Sequence, residues 1–135
     1  MKNTMSILKK IKFPILFMIL IFIESSIPLD GSSASPEFLM KLDPNIQNML
    51  HIPLYAFLCI LWLYSFQSLG FSFRKNIFFS FSITSIYGIF DEIHQTFIPG
   101  RYGGLTDVLL DVTGAFLGII LFRFIRRKNF FKTKS

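Results

Sequence analysis

Charge is scarce in this chain of 135 residues: 16% are Asp, Glu, Lys or Arg, against roughly 25% in an ordinary soluble domain. Cysteine is scarcer still. Cys59 stands alone in an apolar run, which excludes an internal disulfide and a thiolate metal centre. There is one tryptophan, Trp62, and there are two histidines, His51 and His94. No nucleophile elbow, phosphate-binding glycine loop or redox cysteine pair is present. What abounds is hydrophobicity. Hydrophobic residues make up 52%, and 18 residues are phenylalanine, more than a core of this size can hide. The length has room for about one domain, so residues 1–135 read as a single unit, and the composition argues against a water-soluble globule.

Apolar runs extend from Phe13 to Ile23, Ile52 to Phe73, Asn76 to Phe90 and Val112 to Phe122. Only the second has by itself the ~18–20 residues that a spanning helix needs. The others reach that length when their polar flanks are counted, giving spans of about 7–27, 52–73, 76–97 and 105–126. The expected fold class is all-α, a polytopic membrane protein with four transmembrane helices. Lys2, Lys9, Lys10 and Lys12 precede the first span, Arg74 and Lys75 fill the second loop, and Arg123, Arg126, Arg127, Lys128, Lys132 and Lys134 close the chain. Only Lys41 and Arg101 fall on the other side, so the positive-inside rule predicts an N-in, C-in arrangement. All eight acidic residues fall in the outer loops or the outer halves of the spans. The basic groups are split between two tails and a loop without interleaved aromatics, which argues against a nucleic-acid partner and for the lipid bilayer, anionic lipid in particular.

The first run, with Lys9, Lys10 and Lys12 before it and Ser32-Ser33-Ala34 after it, also has the outline of a signal peptide. Glu24 follows the run at once, and ten residues separate the run from Ala34, so a membrane span is the preferred reading. The serines and prolines of Pro28 to Asn48 predict an irregular outer loop with a short interfacial turn near Phe38 to Leu42. Ile98-Pro99-Gly100-Arg101 predicts a tight turn, with proline fixing φ and glycine supplying a positive φ.

The polar residues of the spans share the outer half. At 1.5 Å per residue, Glu24 and Asp111, each twelve residues from an inner basic residue, come to one depth about 18 Å up, with Glu92 and Tyr55 higher and His51 at the rim. Asp107, Asp111, Gly114 and Gly118 recur at helical spacing, placing two carboxylates above a Gly-x-x-x-Gly packing surface. His51 and Tyr55 are four apart, Glu92 and Gln95 three apart. The expectation is a converging polar pocket open to the outside, built from Glu24, His51, Tyr55, Glu92, Gln95, Arg101, Asp107 and Asp111, with Gly114 and Gly118 packing helices.

Helix dipoles favour Asp107 and Asp111 but oppose Asp91 and Glu92. The groups able to compensate are Arg101 and the two histidines; other solutions are protonated carboxylates, or a cationic ligand or metal. Asp91, adjoining Glu92, is expected to meet the loop or water, His94 to lie at a rim or interface, and Trp62 and the phenylalanines to face lipid. Three readings of the pocket stay open: a structural network pinning helix ends, a ligand or substrate pocket, and a metal site. No two histidines share a helical face, so no metal is assigned, and the sequence leaves the cofactor unknown. Acid–base chemistry by two carboxylates is conceivable, but no bond to be broken is named.

The segment Tyr87-Gly88-Ile89-Phe90-Asp91-Glu92-Ile93-His94-Gln95-Thr96-Phe97-Ile98-Pro99-Gly100-Arg101, followed by Asp107, Asp111, Gly114 and Gly118, resembles the VanZ-like family. These are small bacterial membrane proteins named for a member associated with low-level resistance to the glycopeptide antibiotic teicoplanin. His51 with Tyr55, and Ser25-Ser26 with Pro28, extend the resemblance, which covers roughly Phe13 to Phe124. Two positions depart from the pattern: Gln47-Asn48 stands where the family often has an acidic-basic pair, and some members carry asparagine at the position of Asp111. The resemblance implies a multi-pass protein of the bacterial cell membrane that modulates the cell envelope or glycopeptide susceptibility, with a lipid, cell-wall precursor or glycopeptide as ligand. It establishes no reaction. The alternative is an intramembrane enzyme acting on a lipid-linked envelope precursor, with Glu92 and Asp107 as its acid–base residues.

Overall fold

The chain is helical wherever it is regular. In the computed structural model, which describes residues 2–132 and the side chains of 7–127 other than Pro44, six helices follow in order: α1 (Lys2–Ser25), α2 (Glu37–Met40), α3 (Pro44–Met49), α4 (His51–Ser68), α5 (Phe73–Gln95) and α6 (Leu105–Lys132). No strand occurs among the described residues.

Local chemistry sets the boundaries. Asp43 caps α3 by accepting from the Asn45 amide at 2.8 Å, with Pro44 in the first turn, where its missing N–H costs nothing. This short helix lies in the loop expected to be irregular beyond Leu42. α4 stops at Ser68, earlier than the Phe73 read from the apolar run. Gly70, at φ 85°, lets the Phe71 amide reach the Phe66 carbonyl (3.1 Å) and its own amide reach that of Gln67 (3.0 Å), the double closure of a Schellman cap. The turn after α5 follows the expected chemistry: Arg101 N–H donates to Ile98 O at 3.1 Å, and Gly100 has φ 76°.

The long helices alternate in direction. Lys10 on α1 donates to the Ser68 carbonyl at the end of α4, 2.8 Å away, and Arg123 and Arg126 on α6 lie over the Phe73 ring at the start of α5. At the opposite end, His51 on α4 meets Asp111 on α6, and the Leu29 amide beyond α1 donates to the Pro99 carbonyl beyond α5. α4 and α5 form the central pair, each touching α1 and α6, while α1 and α6 do not meet among the described residues. One end of the bundle is therefore basic and the other acidic.

Two apolar clusters fill the bundle. Ile21, Tyr55, Leu58, Trp62 and Phe66 pack between α1 and α4, and Cys59, Leu63, Ala115, Ile119 and Phe122 between α4 and α6. Trp62, at 7% exposed, belongs to the core and not to the outer surface; it stacks on Phe66 at 5.2 Å. Many phenylalanines do point outward, among them Phe78, Phe90 and Phe116. α5 is apolar outside and polar inside. Asn76, Ser80, Thr84, Gly88, Asp91, Glu92 and Gln95 are its buried residues, whereas Phe78, Ile86, Ile89, Phe90 and Ile93 are exposed. The inner polar groups bond across or along the bundle: Asn76 Nδ2 donates to Leu63 O at 3.0 Å, and its Oδ1 accepts from Ser80 Oγ at 3.2 Å. Tyr87 Oη donates to the Met18 carbonyl at 2.6 Å.

Among the described residues two helical stretches are long and apolar enough to cross a membrane, Asn45–Ser68 with mean hydropathy 1.7 and Leu105–Arg127 with 2.1. α1 and α5, at 24 and 23 residues, are about 35 Å long. Lysines in the first half of α1 and the inner polar stripe of α5 lower their mean hydropathy.

Candidate functional site

At the acidic end, three helix termini bring one histidine and two carboxylates together. His51, on the first turn of α4, donates from Nδ1 to Asp111 Oδ1 at 2.8 Å and lies 3.6 Å from Glu92 Oε1. Glu92 occupies the last turn of α5 and Asp111 the second turn of α6. Close packing permits this approach. A Cβ on Gly88 would come within 2.7 Å of Asp111 Oδ2, and Cβ atoms on Gly114 and Gly118 would strike the carbonyls of Ile52 and Ala56 at 2.4 and 2.5 Å. Those two glycines let α6 lie against the backbone of α4.

The Glu92 carboxylate is held from both sides. Its Oε2 accepts from the Gly104 amide at 3.0 Å, and Gln95 Nε2 lies 3.4 Å from its Oε1. The same Gln95 nitrogen donates to Asp91 Oδ2 at 3.1 Å, which also receives Tyr55 Oη at 3.3 Å. Asp91 is thus 4% exposed and part of the buried network, contrary to the expectation that it meets the loop or water. Two successive residues of α5 turn inward because they straddle the helix face, with Tyr55 reaching one and the α5–α6 loop the other. Tyr55 is itself fully buried, its ring parallel to that of His51 at 6.2 Å.

The compensating groups divide differently from the sequence-based expectation. Arg101 does not face Glu92 or Asp107: its Nη2 donates to Glu24 Oε1 at 2.7 Å and to the Glu24 carbonyl at 2.8 Å, and its Nε donates to the Ile27 carbonyl at 3.1 Å. It caps the end of α1. His94 meets α1 as well, stacked on Phe22 at 4.5 Å and bonded to Ser26 Oγ at 2.9 Å. With the Ser26 proton donated to the Phe22 carbonyl at 2.6 Å, His94 Nε2 is the donor. Among the described residues, His51 remains as the one basic group on the cluster of Asp91, Glu92, Asp107 and Asp111. All four carboxylates are less than a tenth exposed, and Asp91 Oδ1, Asp107 Oδ1 and Asp111 Oδ2 have no hydrogen-bond partner.

A cavity of about 810 Å³ opens beside this cluster. Glu24, His51, Gln95, Arg101 and Asp107 give it a polar wall, and Phe17, Leu29, Leu54 and Phe57 an apolar one; Leu39, Met40 and Leu42 also line it, contributed by the segment between α1 and α4. Tyr55, Glu92 and Asp111 lie behind the polar wall. Glu24 lines the cavity but does not join the carboxylate cluster. Sequence reasoning passed over Gln47, whose Nε2 ties the carbonyls of Leu39 and Leu42 at 2.9 and 3.0 Å and shapes that part of the lining. Its signal was present as the departure from an acidic-basic pair at positions 47 and 48.

Fold and site together define a class: an all-helical protein with two membrane-length helices and a histidine–carboxylate cluster at the acidic end of its bundle. Residues 11–126 match the VanZ/LLP1 family model, and the chain belongs to that family. No curated protein and no solved structure matches it.

Proposed function

We propose that this is a four-span, N-in and C-in protein of the bacterial cell membrane, whose outward-facing cavity recognises an amphiphilic envelope component. The candidates are a lipid, a lipid-linked cell-wall precursor or a glycopeptide such as teicoplanin, and binding modulates the envelope or the response to that antibiotic. Four observations support the topology. The long helices alternate, their basic and acidic residues segregate to opposite ends, two of them have membrane length and composition, and α5 exposes Phe78, Ile86, Phe90 and Ile93 while burying its polar stripe. A helix that is apolar outside and polar inside avoids the cost of polar groups in hydrocarbon.

The observation that carries the function is the two-sided lining of the cavity, charged and amide groups facing aliphatic and aromatic ones across about 810 Å³, the size and polarity of a site for an amphiphile. Native mass spectrometry of the protein in detergent, offered a lipid-linked cell-wall precursor or teicoplanin, tests it. One bound molecule is expected, lost when Leu54→Trp fills the cavity; equal binding in the variant would overturn the reading. A second reading, an enzyme acting on such a precursor, is favoured by Asp107, which lines the cavity and whose buried Oδ1 has no partner among the described residues. The same mixtures decide it by the appearance of product. Reporter fusions after Lys41, Gly70 and Tyr102 check the topology, with only the Gly70 fusion expected in the cytoplasm.

A further inference from the structure

We infer that His51, Glu92 and Asp111 form a binding site for one divalent first-row metal ion, of the Zn²⁺ type. This goes beyond the cavity reading and does not depend on which envelope molecule the cavity takes.

Geometry comes first. One ligand atom from each residue, an imidazole nitrogen and two carboxylate oxygens, can be chosen so that all lie within 4.8 Å of one another. Ligands bound tetrahedrally at ~2.0–2.2 Å stand about 3.3–3.6 Å apart. His51 Nδ1 and Glu92 Oε1 already have that separation at 3.6 Å, and the 2.8 Å between His51 Nδ1 and Asp111 Oδ1 needs only a small opening. The three residues come from three different helices whose backbones are locked by Gly88, Gly114 and Gly118, so the donors are preorganised. Glu92 is further oriented by the Gly104 amide, the outer support that metal-binding carboxylates characteristically have.

Charge gives the second, independent reason. Four buried carboxylates face one imidazole, because Arg101 is committed to Glu24 and to backbone carbonyls. A buried carboxylate without a partner is expensive. Among the described residues Asp111, fully buried, leaves Oδ2 without a partner, and Asp107, which is 8% exposed and lines the cavity with His51, leaves its buried Oδ1 without one. A dication in the cluster neutralises two of these charges at once, and it takes the place of the proton that His51 and Asp111 otherwise share. One imidazole with two carboxylates suits Zn²⁺, Mn²⁺ or Co²⁺ better than it suits an all-oxygen ion such as Ca²⁺. Three protein ligands leave a coordination position open, the arrangement of a metal that meets a ligand and not of one that only braces a fold, and His51 lines the cavity.

The test uses the full chain purified in detergent with a tag that does not bind metal, stripped by chelator and then titrated with Zn²⁺ by calorimetry and with Co²⁺ by visible absorption. One saturable equivalent per chain is expected. Affinity should fall at least tenfold in His51→Gln, which keeps a hydrogen-bonding group near Asp111 but removes the imidazole, and in Glu92→Gln. It should stay unchanged in Glu37→Gln, an exposed acid paired with Lys41 at the same end. The buried Cys59 thiol reports the fold of each variant, since it stays unreactive while the bundle is intact. The absence of saturable binding to the wild type overturns the site, as does undiminished affinity in His51→Gln. Either result leaves protonation as the way the four carboxylates are accommodated.

Discussion

Arg101→Ala removes three hydrogen bonds in one step, those to Glu24 Oε1 (2.7 Å), Glu24 O (2.8 Å) and Ile27 O (3.1 Å). The components differ in weight. Glu24 is 49% exposed, so the ion pair alone is worth about 0.2–1 kcal/mol. The bonds from the guanidinium to the two carbonyls satisfy acceptors at the C-terminal end of α1, and bonds involving a charged group are worth about 1.5–3 kcal/mol each. They share one donor group and are not additive, so we expect a loss of about 3 kcal/mol for Arg101→Ala and under about 1 kcal/mol for Glu24→Gln. Arg101→Lys should fall between, because an ammonium lacks the planar fork that serves several acceptors at once. The single, fully buried Cys59 supplies the assay: a thiol-reactive fluorophore in a thermal ramp reports unfolding at one position. For a chain of this length 1 kcal/mol moves the midpoint by about 3–5 °C. Arg101→Ala should therefore lower it by roughly 10 °C and Glu24→Gln by no more than about 4 °C. Equal shifts in the two variants, with no further loss in the double variant, would show that the ion pair carries the interaction and refute the carbonyl-capping argument.

Two further substitutions probe the packing. Gly114→Val places a Cβ 2.4 Å from the Ile52 carbonyl; forcing α4 and α6 apart should cost about 2–3 kcal/mol, read as a lower midpoint in the same thiol assay. Asn76→Leu removes the amide that donates to Leu63 O and orphans Ser80 Oγ; the expected loss is about 1–2 kcal/mol, measured by the same ramp.

How far the sequence revealed this arrangement depended on whether a residue's partner lies on its own helix. The stripe of Asp107, Asp111, Gly114 and Gly118 was legible because helical spacing fixes a common face. The segregation of basic from acidic residues was legible because it needs only the order of the apolar runs. The Ile98–Arg101 turn was written in its proline and glycine. Partners on different helices were not legible. Arg101, His51 and His94 looked equivalent as compensators of the acidic cluster, yet two of the three turn toward α1, because the end of α1 packs against the α5–α6 loop and away from α6. Asp91 was misplaced for a similar reason: its partners, Tyr55 and Gln95, become visible only when α4 is laid against α5. The early end of α4 and the short helix α3 are the local misses: Gly70 marked the first and the apolar residues that follow masked the mark, while Asp43-Pro44 marked the start of the second inside a loop read as irregular.

The absence of contact between α1 and α6 among the described residues has a consequence for traffic. The cavity runs from Phe17 and Glu24 on α1, past Leu54 and Phe57 on α4, to Asp107 on α6, so it is a cleft in the flank of the bundle as well as a well at its end. On the topology proposed above, a molecule tethered by an acyl or polyprenyl tail would slide in from the side with its tail still in the leaflet, presenting only its headgroup to the carboxylates, whereas a water-borne molecule would descend past the α2–α3 segment. The two routes predict different kinetics: entry that depends on concentration within the leaflet for tailed ligands, and on bulk concentration for free ones.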